Sequence, residues 1–259
     1  MNKRMILYIQ GAILLIESAI MVLPIAAALI YRETSGVWFF YTALAAAICG
    51  FAAMKLSKPR TKTIYAKEGL ITVALGWIVL SLVGALPFTL SGEIPFYLDA
   101  VFEMISGFTT TGSSILPNVE ALSRCMLLWR SFSHWLGGMG ILVFMLAIVK
   151  MEGGQGIHLL RAESPGPTVG KMVPRMVDSS KILYTIYFAL TLVQVVFYLA
   201  GGMPLFDSLC NAFATAGTGG FSIKADSFAS YSPYLQTVTT VFMALFGVNF
   251  SIYFFLLQK

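Results

Sequence analysis

The chain has 259 residues, of which 58% are hydrophobic and only 11% charged; its formal net charge is +5 and its mean hydropathy +0.81. So little charge cannot cover the surface of a water-soluble domain, which excludes a soluble globular protein and points to an all-α integral membrane protein. The positive excess does not mark a nucleic-acid surface, because it is divided among alternate loops rather than gathered on one face.

In chain order the apolar runs predict helices over Met5–Tyr31, Val37–Leu56, Gly69–Leu90, Leu122–Val149, Ile182–Ala200 and Tyr234–Leu257. Each is about as long as the 20 residues a helix needs to cross the hydrocarbon. The first run is too long for a cleaved signal peptide and is expected to be retained. Glu17 lies within it with no obvious partner and is expected to face a neighbouring helix. Lys3 and Arg4 precede this helix, Lys55, Lys58, Arg60, Lys62 and Lys67 follow the second, and Lys150, Arg161, Lys171, Arg175 and Lys181 follow the fourth. In the alternate loops Arg32 cancels Glu33, Arg124 stands against Glu93, Asp99, Glu103 and Glu120, and Lys224 against Asp207 and Asp226. Basic loops stay inside, so both termini are expected in the cytoplasm.

Between the third and fourth helices lies "FYLDAVFEMISGF", an apolar segment too short to cross and long enough to enter as a half-helix. The polar tract "TTTGSS" follows it. The second half of the chain repeats the pattern, with "FDSLCNAFATAG" leading into "TGGFSI". A shift of 108 residues places Asp99 on Asp207, Thr110 on Thr218, Thr111 on Gly219 and Gly112 on Gly220, with Pro95 and Pro204 just before the aspartates. A unit of helix, half-helix, Thr/Gly tract and helix therefore occurs twice. The chain divides into a peripheral helix pair (1–66), a first unit (67–150), a cytoplasmic loop (151–177) and a second unit (178–259).

Non-helical backbone at membrane depth is tolerated only where it is buried in protein or lines a watery path. Carbonyls facing such a path can replace the hydration shell of a cation. Glycine permits the positive φ that turns them, and the half-helix points its negative end at the same place. Thr110, Thr111, Gly112, Thr218, Gly219 and Gly220 are thus candidate ligands of a monovalent-cation filter. The other reading is a re-entrant turn held by Thr and Ser hydroxyls, with the glycines packing helices.

Four stretches, "SGFTTTGSS", "WLGGMGI", "LLRAESPGP" and "GTGGFS", occur in this order. Together they resemble the TrkH/TrkG/KtrB family of potassium-uptake proteins. The resemblance implies a peripheral helix pair followed by helix–pore-loop–helix units of potassium-channel-like architecture, with potassium as the transported ion. It implies a multi-pass protein of the bacterial inner membrane, in contact with membrane lipid. The basic loop 151–177 would meet a cytosolic nucleotide-binding regulatory subunit of the TrkA/KtrA type, with anionic lipid headgroups as the other reading. The family has four units and this chain two. The sequence is therefore expected to be a piece of a longer protein, the alternative being a homodimer that closes the ring. A potassium-binding subunit of a pump and a non-conducting scaffold are the rival functions. No GxSxG, HExxH or paired intramembrane aspartates occur, so an enzyme is not expected.

Arg130 is expected to snorkel to the outer interface, and His134 to be a hydrogen-bonded packing residue. "GGMG" (Gly137–Gly140) marks close helix contact or a bend. Glu103 either adds negative potential at the pore mouth or packs with its carboxylate bonded to loop amides. Cys49, Cys125 and Cys210 are too scattered for a disulfide framework or a metal cluster and read as small core residues.

Overall fold

A computed structural model describes residues 2–59, 65–140, 176–250 and 252–253, and these are helices joined by turns. Two helices, α1 (Lys3–Ile20) and α2 (Val22–Tyr31), make up the predicted first span. They part at Met21 because Pro24 has no N–H for the Ile20 carbonyl. From Ser35 the chain returns as α3 (Gly36–Leu56), packed along α1. Gly11 and Gly50 meet at that crossing: a Cβ on either would lie 2.7 Å from the other's carbonyl oxygen. Small residues at such a point let two membrane helices approach backbone to backbone.

The first repeated unit consists of α4 (Ala66–Leu90), α5 (Tyr97–Phe108) and α6 (Arg124–Met139). Its counterpart is α7 (Met176–Ala200), α8 (Leu205–Ala216) and α9 (Pro233–Gly247). The short helices α5 and α8 have 12 residues each. At 1.5 Å per residue each is about 18 Å long, against a hydrocarbon core of about 30 Å. Among the described residues four stretches are long and apolar enough to cross: Lys3–Tyr31, Gly36–Leu56, Lys67–Leu90 and Ile182–Ala200. Large apolar side chains such as Leu29, Ile30, Phe51 and Val196 lie exposed on them, as a lipid-facing surface requires.

The repeat is kept to the residue in the half-helices: α8 begins and ends 108 positions after α5. The loops absorb small differences. The turn glycines Gly92 (φ 80°) and Gly202 (φ 81°) are offset by two more residues, and the N-caps Ser123 and Ser232 (ψ 155° and 153°) by one more. The second helix of each unit is shorter than predicted. At Gly140 (φ 80°, ψ 130°) α6 ends in a positive-φ conformation, and at Val248 (ψ 139°) α9 gives way to extended backbone. Glycine lowers helix propensity at both places, as does Asn249 at the second. The rest of the predicted Leu122–Val149 span, the loop 151–175 and residues 254–259 lie outside the described residues.

Two glutamates from different loops fix the start of α6. Glu33 accepts the backbone N–H groups of Arg124 (2.8 Å) and Cys125 (2.9 Å). Glu93 accepts the N–H (2.8 Å) and hydroxyl (2.7 Å) of Ser123 and the hydroxyl of Ser35 (2.6 Å). Carboxylates satisfy the orphan amides of a first turn and complement its dipole. These two acids, read above only as loop charge, therefore tie the peripheral pair to the first unit. Glu93→Ala is expected to cost about 1 kcal/mol. A lowering of the melting midpoint by roughly 2–4 °C in purified protein checks this; an unchanged midpoint would show the cap to be replaceable by water.

Candidate ion-binding site

Each half-helix ends in a tract whose amides turn back onto the helix. Thr110 and Thr111 donate to the carbonyls of Gly107 (3.0 Å) and Ser106 (2.9 Å), and Thr218 to that of Thr215 (2.8 Å). The backbone then takes the same unusual course twice: Thr110 and Thr218 are left-handed at φ 53° and 54°, and Gly112 and Gly220 have φ 77° and 94°. Left-handed threonine costs on the order of 1–2 kcal/mol, and such strain persists only where the surroundings over-determine it. None of the carbonyls of Thr110, Thr111, Gly112, Thr218, Gly219 and Gly220 accepts a hydrogen bond from a described residue. The two tracts also abut. A Cβ on Gly112 would overlap the Gly219 carbonyl oxygen, and one on Gly219 would lie 2.5 Å from the Thr110 carbonyl oxygen. With the Gly220 N–H nitrogen 3.3 Å from the same Gly112 Cβ, four of the six candidate ligands (Thr110, Gly112, Gly219 and Gly220) are brought to one place, and Thr111 and Thr218 adjoin them in sequence.

The tracts are braced from behind by residues that also obey the repeat. Glu103 of α5, with no exposed surface, accepts the Ser114 hydroxyl (2.9 Å) and the Ile115 N–H (3.0 Å). In the second unit Asn211 Oδ1 accepts the Ser222 hydroxyl at 3.4 Å. Glu103 and Asn211 are 108 residues apart, as are Ser114 and Ser222, so the same shift that aligned the tracts could have revealed both braces. Asn211 Nδ2 donates in turn to the Tyr231 hydroxyl (3.4 Å), which burial pushes up to about 12, so Tyr231 stays neutral. The reading of Glu103 as a packing residue bonded to loop amides is the one this geometry supports.

Arg130 does not snorkel. Only 2% exposed, its Nε pairs with Glu103 at 2.5 Å. Its Nη1 donates to the Ser222 carbonyl at 2.8 Å, and its guanidinium lies 3.4 Å from the centre of the Phe221 ring. A carboxylate on the neighbouring half-helix is a better partner than distant water for a charge at this depth. One ion pair thus holds both tracts, Glu103 gripping the first and Arg130 the second.

The glycines of "GGMG" serve both expected roles. Gly140 ends the helix. A Cβ on Gly137 would overlap the Phe108 carbonyl, and one on Gly138 would lie 3.1 Å from the Ala216 carbonyl, so α6 rests directly on the C-terminal ends of both half-helices. His134 is fully buried, as expected of a packing residue, but neither ring nitrogen has a hydrogen-bond partner among the described residues. Glu17 is also buried without a hydrogen-bond partner among them. One of its oxygens would lie 3.3 Å from a Cβ on Gly84 of α4, the neighbouring helix it was expected to face. Cys125 and Cys210 are buried, whereas Cys49 is exposed on α3 and is not a core residue.

Helices in pairs, with a half-helix and a run of unbonded carbonyls set between each pair, define a pore-loop membrane protein. Residues 37–259 match the family described as TrkH, cation transport protein, and the chain belongs to that family. It is 37% identical over 261 residues to the Trk system potassium uptake protein TrkH of Salmonella typhimurium, covering 100% of this chain and 54% of that protein. It is 32% identical to the Trk system potassium uptake protein TrkG of Escherichia coli, again over 100% of this chain and 54% of that one. The crystal structure of the potassium transporter TrkH from Vibrio parahaemolyticus superposes with a TM-score of 0.82 at 32% identity, covering 98% of this chain and 52% of that one. The chain spans about half the length of these relatives.

Proposed function

We propose that the protein carries potassium ions across the bacterial inner membrane, as a pore-forming subunit of a Trk-type uptake system. The carbonyls of Thr110, Thr111, Gly112, Thr218, Gly219 and Gly220 supply part of the ion's coordination shell. The observation that carries this reading is the twofold occurrence of one strained backbone course, with φ 53° and 54° at the threonines and 77° and 94° at the glycines. Threonine has no local reason to be left-handed twice in the same register, whereas a row of carbonyls aimed at one cation gives it one. The ion sheds water at the tracts and regains it beyond them, with no covalent step.

Two tracts give half a shell, and the remaining ligands come from outside these residues, in a longer protein or a second copy. The tracts lie toward the outer face and the termini in the cytoplasm. Lys3, Arg4, Lys55 and Lys58 at one end, against Glu33, Glu93 and Glu120 at the other, support that orientation. The basic loop 151–177 is proposed to meet a cytosolic nucleotide-binding regulatory subunit. Rubidium uptake in a potassium-uptake-deficient strain, with the protein expressed as its gene encodes it, tests the reading. Saturable uptake that potassium inhibits and sodium does not is the expected result. Its absence, with the protein present in the membrane, would favour a non-conducting scaffold.

A further inference from the structure

We propose that His134 is a positioning residue for ion selection: its imidazole is the wedge that sets the second tract against the first. This rests on the reading of the tracts as ion ligands. His134 projects from α6 with none of its surface exposed, and its ring stacks on Phe221 with centroids 4.1 Å apart and planes at 19°. Phe221 directly follows Gly220, so whatever fixes its ring fixes the end of the second tract. The same imidazole presses on the tract itself: a Cβ on Gly219 would overlap His134 Cε1 and would also lie 2.5 Å from the Thr110 carbonyl oxygen. Gly219 therefore packs against both the His134 ring and the first tract, with no room for a side chain. Gly217, where the tract begins, rests on His134 as well, a Cβ there lying 2.7 Å from the histidine carbonyl.

The wedge acts by shape. The ring nitrogens lie beside the backbone of Ser106 and Ala214 without closing a well-aligned hydrogen bond, so what the side chain delivers to the tract is chiefly a flat, rigid ring of fixed thickness. Arg130, one turn earlier on α6, holds Phe221 and the Ser222 carbonyl, and His134 holds Phe221 and Gly219. α6 of the first unit thus sets the backbone of the second unit's tract, and with it how Gly219 sits against the Thr110 carbonyl. A carbonyl displaced by a few tenths of an ångström changes how well the shell fits one cation over a smaller one.

The test is rubidium uptake with sodium as competitor, in the protein as its gene encodes it, with membrane abundance measured alongside. His134→Ala is expected to weaken sodium exclusion by about tenfold while uptake at saturating rubidium falls less. His134→Phe keeps a ring of similar thickness and is expected to stay within about threefold of wild type. Phe221→Leu reaches the same wedge from the other side and keeps the test open should His134→Ala fold poorly. It is expected to reproduce the loss of selectivity, and the double variant to lose little more than either single one, as residues acting through one contact are non-additive. Wild-type sodium exclusion in His134→Ala or Phe221→Leu would overturn the proposal, as would His134→Phe failing as badly as His134→Ala. Absence of uptake by the wild-type protein would instead overturn the transport reading.

Discussion

Gly112→Ala is expected to weaken apparent potassium affinity by well over tenfold while leaving the protein in the membrane at wild-type levels. Two costs add at this position. At φ 77° a Cβ atom brings strain on the order of 1–2 kcal/mol, which by itself is about tenfold if binding bears all of it. The Cβ would also overlap the Gly219 carbonyl oxygen, so one proposed ligand must move to admit it. The helices are untouched, which is why insertion survives. At Gly220, φ 94° brings the same strain, and a Cβ there meets nothing within 4 Å among the described residues. Strain alone predicts about a tenfold loss for Gly220→Ala. A loss well beyond tenfold would show that the Cβ added at Gly220 meets something besides its own backbone strain. Uptake titrations over potassium concentration, with sodium competing, read both variants. Wild-type affinity and sodium exclusion in Gly112→Ala would reduce the tracts to turns.

The second large effect is expected at the Glu103–Arg130 pair. Arg130→Met leaves a carboxylate with no exposed surface and without its cation. Breaking a buried pair from one side costs roughly 3–5 kcal/mol, and the melting midpoint should fall by about 10 °C. Glu103→Gln keeps an acceptor for Ser114 and Ile115 and is expected to cost less. Glu103→Gln with Arg130→Met should be more stable than Arg130→Met alone, because the stranded charge is gone. Thermal melts of the four proteins give the coupling. Additive losses would mean that Arg130 acts through Phe221 and the Ser222 carbonyl and that its carboxylate partner is incidental.

Much of this architecture follows from local composition. Apolar length sets the crossing helices, because only an uninterrupted run of about 20 residues spans the hydrocarbon. The half-helices announce themselves by being too short, and the 108-residue shift holds to the residue across α5 and α8. The positive φ at Gly112 and Gly220 was legible as well, since a glycine at one register of a repeated tract has few other reasons to be there. Helix ends within an apolar run were not. α6 stops at Gly140 and α9 at Val248, and hydropathy is blind to backbone direction.

What the sequence determined by itself is whatever depends on neighbours along the chain: membrane class, helix order, the repeat, and tracts of threonine and glycine poised to present carbonyls. Only the tertiary structure decided the partners. Composition allowed Arg130 to reach for the interface, yet the fold supplies Glu103 from another helix, 27 residues away. It supplies Glu33 and Glu93 to the first turn of α6 and sets His134 against a tract belonging to the other unit. Arg130, Glu103, Glu33 and Glu93 take the partners that packing brings within about 3 Å, in a medium where leaving a charge unpaired costs several kcal/mol. That choice is made across the bundle, where sequence separation carries no information.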